Sequence, residues 1–162
     1  WACWKMYLGR PEIDVMRWAA MGSLGSCLRE NGRIAEALPV VEANLALSRR
    51  NFSFDEENIL TAQANLSACL TDLERRDEAL ILERAIYARR VAINGVSHEE
   101  TIMIGLNLGW SLVDLELWEE AKQLLRDQLP VARQSLGADH EITLKLSQYL
   151  ATALGAHCRT RD

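Results

Sequence analysis

The side chains best suited to metal binding or nucleophilic chemistry are three histidines and four cysteines. They are His98, His140, His157, Cys3, Cys27, Cys69 and Cys158. Structural zinc sites and redox pairs need such residues in closely spaced sets, as in a CxxC motif. The sequence contains no CxxC, and the neighbours His157 and Cys158 are too few ligands for a metal. We therefore predict no metal and no cofactor.

Motifs of catalysis are also missing from the sequence. It has no Ser/His/Asp constellation, no GxGxxG, no Gly-rich loop ending in Lys-Ser/Thr and no HExxH. His98 and His140 are 42 residues apart beside expected helix starts, which favours a role in a turn over catalysis. Glu119 and Glu120 fit a solvated helix start, where carboxylates are favourable to the helix dipole. We predict that the chain is not an enzyme.

Composition narrows the class of protein. The chain has 162 residues, of which 49% are hydrophobic and 25% charged, with a net charge of −5. These values suit an ordinary globular domain, and the negative charge argues against nucleic-acid binding. No apolar stretch is long enough for a membrane span, and the cysteine pattern favours reduced thiols in the cytoplasm. The start at Trp1 lacks signal-peptide features and is expected to belong to a fragment of something longer.

The chain repeats itself with a period of 42 residues. The pairs Glu36-Ala37, Glu78-Ala79 and Glu120-Ala121 keep this spacing, and so do Leu24, Leu66, Leu108 and Leu150. Each of these leucines is followed by a small residue, namely Gly25, Ser67, Gly109 and Ala151. Small residues let two helices approach closely, so the alanines of the Glu-Ala pairs are predicted to face this small column.

Each repeat is predicted to be a pair of helices, because its apolar residues have helical spacing. The first helices are predicted over 14–31, 56–73, 98–115 and 140–156, and the second helices over 33–50, 75–94 and 117–136. Asp55, Ser97 and Asp139 are predicted N-caps, with Ser97 and Glu100 forming a capping box. Gly95 and Gly137 are predicted to end the preceding helices.

These motifs resemble a known repeat family. The runs Asn65-Leu66-Ser67 and Asn107-Leu108-Gly109, each followed by a Glu-Ala pair, resemble the tetratricopeptide repeat, whose common unit has about 34 residues. The longer unit here, with Leu136-Gly137-Ala138-Asp139-His140 between helices, resembles the repeats of kinesin light chain. The segment Gly95-Val96-Ser97-His98 is a second copy, and the resemblance covers roughly residues 12–156. Glu99 and Glu141 stand where the family has proline.

The resemblance implies an all-α fold, an α–α superhelix that is a solenoid of antiparallel helix pairs. We expect residues 1–11 to be the end of a preceding repeat or an N-terminal cap. The repeats are expected at 12–53, 54–95 and 96–137, followed by a single helix at 138–156 and a tail at 157–162. Trp1 and Trp4 would then belong to the second helix of the preceding repeat.

The resemblance implies that the first helix of each unit lines a concave face of the solenoid. It also implies that this face binds a protein or peptide. The predicted partner-binding residues are Arg29, Asn65, Ala68, Asp72, Met103, Leu106, Asn107, Trp110 and Asp114. Trp110 is either a binding hot spot or a packing residue. For Asn65 and Asn107 we favour the alternative of local bonds between helices, and for Trp118 a structural role.

The function predicted is that of an adaptor that binds a protein or peptide, without nucleic acid or membrane. The alternative is a structural or self-associating repeat region of a larger signalling or enzymatic protein. Self-association would occur through uncapped repeat ends, because solenoids need polar terminal repeats.

Overall fold

The structure is a computed structural model that describes residues 9–11, 14–51 and 56–159, with side chains to residue 155. The chain divides into two compact units, residues 1–82 and 83–162. The described ranges hold seven helices and no strand, which confirms the all-α class. No helix in these ranges is long and apolar enough to cross a membrane. Trp1 and Trp4 lie outside the described residues.

The helices lie where the 42-residue period predicts them. They are α1 (Val15–Glu30), α2 (Ile34–Asn51), α3 (Glu56–Asp72), α4 (Arg76–Asn94), α5 (Glu99–Asp114), α6 (Trp118–Ser135) and α7 (Glu141–Arg159). The boundary between the two units falls inside α4. In the first unit α1 packs against α2 and α2 against α3, and in the second unit α5 and α6 both pack against α7.

The turn inside each helix pair contains one residue with left-handed backbone. These residues are 42 apart and are Gly32 (φ 72°), Glu74 (φ 61°) and Glu116 (φ 58°). At the third turn, Glu116 N donates to Val113 O at 3.1 Å and Leu117 N donates to Leu112 O at 2.9 Å. The first two turns have the same two bonds, so each first helix ends in a Schellman motif. Only the first copy places the expected glycine at this position.

The helix starts differ from prediction in one respect. The N-cap of α5 is His98, whose Nδ1 accepts a hydrogen bond from Glu100 N at 3.3 Å. His140 Nδ1 accepts in the same way from Ile142 N at the start of α7. The predicted caps Ser97 and Asp139 are therefore wrong by one residue, because the chain enters the helical conformation one position later. Asp55, the third predicted cap, lies outside the described residues.

Small residues allow the paired helices to approach closely, as predicted. The residues that they face on the other helix differ from the predicted ones. A Cβ at Gly25 would lie 2.5 Å from Val41 Cγ1, and a Cβ at Gly109 would lie 2.6 Å from Leu125 Cδ2. Val41 and Leu125 are one turn beyond the alanines that were predicted to face these glycines. Only the second copy follows the prediction, because there Ser67 Oγ donates to Ala79 O at 3.4 Å.

Candidate functional site

One face of α5 carries four of the predicted partner-binding residues. Met103 and Trp110 are 45% and 49% exposed, and Asn107 and Asp114 are also exposed. Their spacing along the helix places them on one stripe, since residues three and four apart are neighbours on a helix surface. Large apolar side chains are usually buried, so an exposed Met and Trp on one stripe mark a candidate binding surface.

Tyr149 of α7 lies beside Trp110. Their ring centroids are 5.2 Å apart with an interplanar angle of 39°. A tilted aromatic pair at this separation is favourable and restricts both rings. Tyr149 was not among the predicted partner-binding residues. The signal was present, because Tyr149 stands one period after Asn107, in a column of the same stripe.

Polar residues of α7 flank the aromatic pair. Lys145 Nζ pairs with Glu141 Oε1 at 2.6 Å, and Gln148 and Thr152 are exposed nearby on the helix. The hydrogen bond from Lys145 lowers the pKa of the Glu141 carboxyl below its ordinary value, and the same bond raises the pKa of Lys145. The surface made by α5 and α7 therefore has an apolar and aromatic centre with a charged pair beside it. We call it the aromatic face, defined by Met103, Asn107, Trp110, Asp114, Lys145 and Tyr149.

Leu106 does not belong to this face. Leu106 is 6% exposed and lies in the core of the second unit, so we do not include it in the proposed binding surface. The neighbouring Ile102 is likewise fully buried. On α5, Leu106 lies at the boundary between the exposed stripe and the buried side of the helix. Helices that pack on α5 cover this boundary.

The other four predicted site residues lie in the first unit. Arg29 Nη1 of α1 pairs with Asp72 Oδ2 of α3 at 3.3 Å, so these two residues bind each other. Asn65 is half-buried, and its Nδ2 lies 3.8 Å from the place a Cβ would occupy at Gly22. Ala68 is half-buried too. These four described residues are thus either paired with each other or half-buried, and none of them is an exposed aromatic side chain.

The two cysteines within the described helices differ in environment. Cys69 is 1% exposed, and burial raises the pKa of its thiol, which makes the reactive thiolate less available. Cys27 is exposed. Within the described ranges, no three His, Cys, Asp or Glu side chains are grouped so that they could hold a metal ion.

A cleft lies between α4 and α6 in the second unit. It is a cleft of about 270 Å³ lined by Arg84, Tyr87, Leu108, Leu112, Glu120, Gln123 and Leu124. Three of the lining residues are leucines, and two others, Arg84 and Glu120, pair through Nη2 and Oε2 at 2.6 Å. None of the predicted partner-binding residues lines this cleft, so it is separate from the aromatic face.

Comparison with known proteins shows which fold the chain has. Residues 101–141 match the family model of the tetratricopeptide repeat, and no curated protein matches the sequence. A Podosopora anserina protein of kinesin light chain type, with nearly identical TPR-like repeats, superposes with a TM-score of 0.83 at 20% identity. A variant of that protein gives a TM-score of 0.82, also at 20% identity. Each alignment covers 97% of this chain and 74% of the other.

BtubC (BKLC) from P. vanneervenii has a related structure. It gives a TM-score of 0.71 at 15% identity, and the alignment covers 89% of this chain and 58% of that one. At these identities the likeness concerns the fold. The predicted resemblance to tetratricopeptide repeats of the kinesin light chain type is confirmed at that level. Repeats of this kind are generally scaffolds for protein interaction rather than enzymes.

Proposed function

Since the chain has the tetratricopeptide-repeat fold of these kinesin light chain-like structures, we propose that it binds a peptide segment of a protein partner through the aromatic face of its second unit. The observation that carries the proposal is the exposed Trp110 ring beside Tyr149, in line with the exposed Met103. Cytoplasmic location, expected from the cysteine content, is part of the same proposal.

The energetics of binding favour this surface. Trp and Tyr are enriched among residues whose truncation costs about 2 kcal/mol or more in protein complexes. Trp110 is held by Tyr149, so less side-chain freedom remains to be lost when a partner covers it. Asn107 and Asp114 lie on the same stripe and supply polar groups for a peptide backbone. The surface therefore combines an apolar anchor with polar groups around it.

The surface of the first unit is a weaker candidate for the anchor. Arg29 and Asp72 already satisfy each other, and a ligand would have to replace that pair before using either charge. A new ion pair between the ligand and one of these partly exposed charges would itself contribute only about 0–1 kcal/mol. We therefore assign the main contact to the second unit and keep Asn65 and Ala68 as proposed secondary contacts.

The proposal is tested by peptide selection followed by titration. Peptides that bind the wild-type chain are selected from a random display library, and the tightest is titrated by calorimetry against wild type and Trp110→Ala. Loss of the anchor is expected to weaken binding by roughly 30-fold, which corresponds to about 2 kcal/mol. Met103→Ala, at the other end of the stripe, is expected to weaken it less.

The matched control is Ile93→Ala. Ile93 is 46% exposed, close to Trp110 in exposure, and lies on α4 outside the aromatic face. It is expected to leave the affinity unchanged, while circular dichroism shows that all variants fold. Equal affinity of wild type and Trp110→Ala, or a greater loss in Ile93→Ala, would exclude the aromatic face as the binding site.

A further inference from the structure

Asp114, the last residue of α5, repeats an acidic position that forms an ion pair with arginine in the first unit. One period earlier stands Asp72, whose Oδ2 lies 3.3 Å from Nη1 of Arg29. The residue one period after Arg29 is Thr71, which carries no charge. The next period therefore keeps the acidic member of this ion pair and has threonine at the position of the arginine.

The charges of the aromatic face are complementary to a cation. Helix α5 contains three acidic residues, Glu99, Glu100 and Asp114, and no lysine or arginine. The basic residue of the face, Lys145 of α7, pairs with Glu141 at 2.6 Å, so these two charges offset each other. Asp114 thus gives this surface an excess of negative charge, which favours a ligand with a positive group.

An aromatic ring lies one helical turn before this carboxylate. Trp110 and Asp114 are four residues apart on α5, so their Cβ atoms are neighbours on the helix surface, roughly 5–6 Å apart. Trp110 is 49% exposed, and the residue one period before it in the first unit is Ala68, which has no ring. The second unit therefore presents an exposed indole and a carboxylate together on one turn of a helix.

We propose, resting on the function proposed above, that the peptide bound at the aromatic face carries an arginine. Its guanidinium group lies on the Trp110 ring and donates hydrogen bonds to the Asp114 carboxylate. The arginine of the peptide thus pairs with Asp114 as Arg29 pairs with Asp72 within the chain. The ligand class is a basic peptide with an apolar residue beside the arginine, because Met103 is exposed on the same stripe.

Three physical effects favour a guanidinium group at this place. The face of an indole ring attracts a cation, and Trp does so more strongly than Tyr or Phe. A planar guanidinium stacks on an aromatic ring while its edge donates to a carboxylate, which the compact ammonium group of lysine cannot do. A cation beside the last turn of α5 also interacts favourably with the helix dipole. Lysine is therefore expected to be a weaker substitute for arginine in the peptide.

The test starts from the peptides selected against the wild-type chain, with binding over Trp110 established by the Trp110→Ala variant. These peptides are expected to share an arginine. In the tightest peptide this arginine is replaced by citrulline, which keeps the planar side chain and removes its charge. Calorimetry should show binding to wild type that is weaker by about tenfold or more, as for loss of a hydrogen bond to a charged group.

The variant Asp114→Asn identifies the group that the arginine contacts. It should weaken binding of the arginine peptide by about tenfold and of the citrulline peptide by less than about twofold, because both changes remove the same interaction. Glu99→Gln is the matched control. It removes the same charge from an exposed position on the same side of α5, roughly 22 Å away along the helix, and should bind both peptides as wild type does.

The possible results distinguish this proposal from the proposed function. Peptides that bind over Trp110 without a shared arginine, or whose citrulline form binds wild type equally well, leave peptide binding intact and overturn the arginine contact. A loss in Glu99→Gln as large as that in Asp114→Asn also overturns the arginine contact. Selection of no peptide, or binding that Trp110→Ala does not weaken, overturns both. Circular dichroism with a thermal midpoint shows that each variant folds, and the citrulline comparison needs no variant of the chain.

Discussion

Glu78 is held by Arg75 through two hydrogen bonds, from Nε to Oε1 at 2.7 Å and from Nη2 to Oε2 at 2.8 Å. The first copy has the same pair one period earlier, between Arg33 and Glu36. The third copy has leucine in place of this arginine, and its Glu120 pairs instead with Arg84 of α4. The same carboxylate column is therefore neutralised in three copies, by a local arginine in two and by a neighbouring helix in the third.

The two arginine–glutamate pairs, each joined by two hydrogen bonds, predict that the stability of the fold depends on pH. The hydrogen bond from Arg75 lowers the pKa of Glu78 below its ordinary value of 4.5. A carboxyl whose pKa is lower in the folded state stabilises the fold above pH 4.5 and loses this contribution as the pH falls through the lowered value. Glu78→Gln should therefore be slightly less stable than wild type at pH 7, and the difference should disappear at low pH in thermal melts.

Salt provides the control for this pair. Because Glu78 and Arg75 are exposed, about 1 M NaCl should reduce the difference between wild type and Glu78→Gln at pH 7. Glu36→Gln is expected to behave in the same way, since the Arg33 hydrogen bond also lowers the pKa of Glu36. A difference that persists unchanged at low pH would mean that the carboxylate charge is not its source.

The left-handed backbone conformation of Glu116, in the third turn, predicts that substitution by glycine stabilises the fold. Glu116 has φ 58°, where a side chain costs roughly 1–2 kcal/mol, whereas glycine adopts this conformation freely. Glycine also loses more conformational entropy on folding, and this offsets part of the gain from relieved strain. Glu116→Gly should therefore raise the free energy of unfolding by about 0.5–1 kcal/mol. Glu116→Ala keeps the backbone strain and is the control. Equal midpoints for Glu116→Gly and Glu116→Ala in urea melts would contradict the strain argument.

The close approach of α5 and α6 predicts that Gly109→Leu destabilises the fold by overpacking, by about 1–3 kcal/mol or more. The reason is that even a Cβ would lie 2.6 Å from Leu125 Cδ2. Ala151→Leu introduces the same side chain one period later, at an exposed position, and should change stability by less than about 0.5 kcal/mol. Comparable losses in the two variants, measured by urea unfolding, would show that the small column is not a packing requirement.

The N-cap of α5 predicts that alanine substitutions at the adjacent residues His98 and Ser97 change the stability of the fold by different amounts. His98→Ala removes the acceptor for Glu100 N and should cost about 0.5–2 kcal/mol. Ser97→Ala should cost much less, because Ser97 lies in the turn before the cap. Thermal unfolding of the two variants distinguishes these positions. A larger loss in Ser97→Ala would restore the cap predicted from sequence.

The repeat period explains why the helices could be located from sequence alone. A fixed spacing of apolar columns, with glycines at Gly95 and Gly137, specifies where helices begin and end, and both glycines have positive φ in the structure. The exact cap could not be read, because Ser97 and His98 are adjacent polar residues and only the backbone conformation distinguishes them. Likewise, nothing local distinguishes Glu74 and Glu116 from helical glutamates.

The candidate site was predictable only in part. Exposure of Met103 and Trp110 follows from the stripe that the period defines on α5. Burial of Leu106 does not, because it depends on which helices pack on that side of α5. The pairing of Trp110 with Tyr149 also depends on the distance between α5 and α7, and no helical pattern encodes that distance. Sequence thus specifies which face of a helix is polar, and packing decides which of its residues meet.

Peptide binding over Trp110 is best followed through the indole N–H signals in a nitrogen-15 NMR titration with the selected peptide. Trp110 and Trp118 lie in the same unit, on α5 and α6, and each signal is assigned by its Trp→Phe variant. If the peptide covers Trp110, the Trp110 signal shifts saturably with peptide while the Trp118 signal stays in place. A shift of the Trp118 signal with the Trp110 signal unmoved would contradict it.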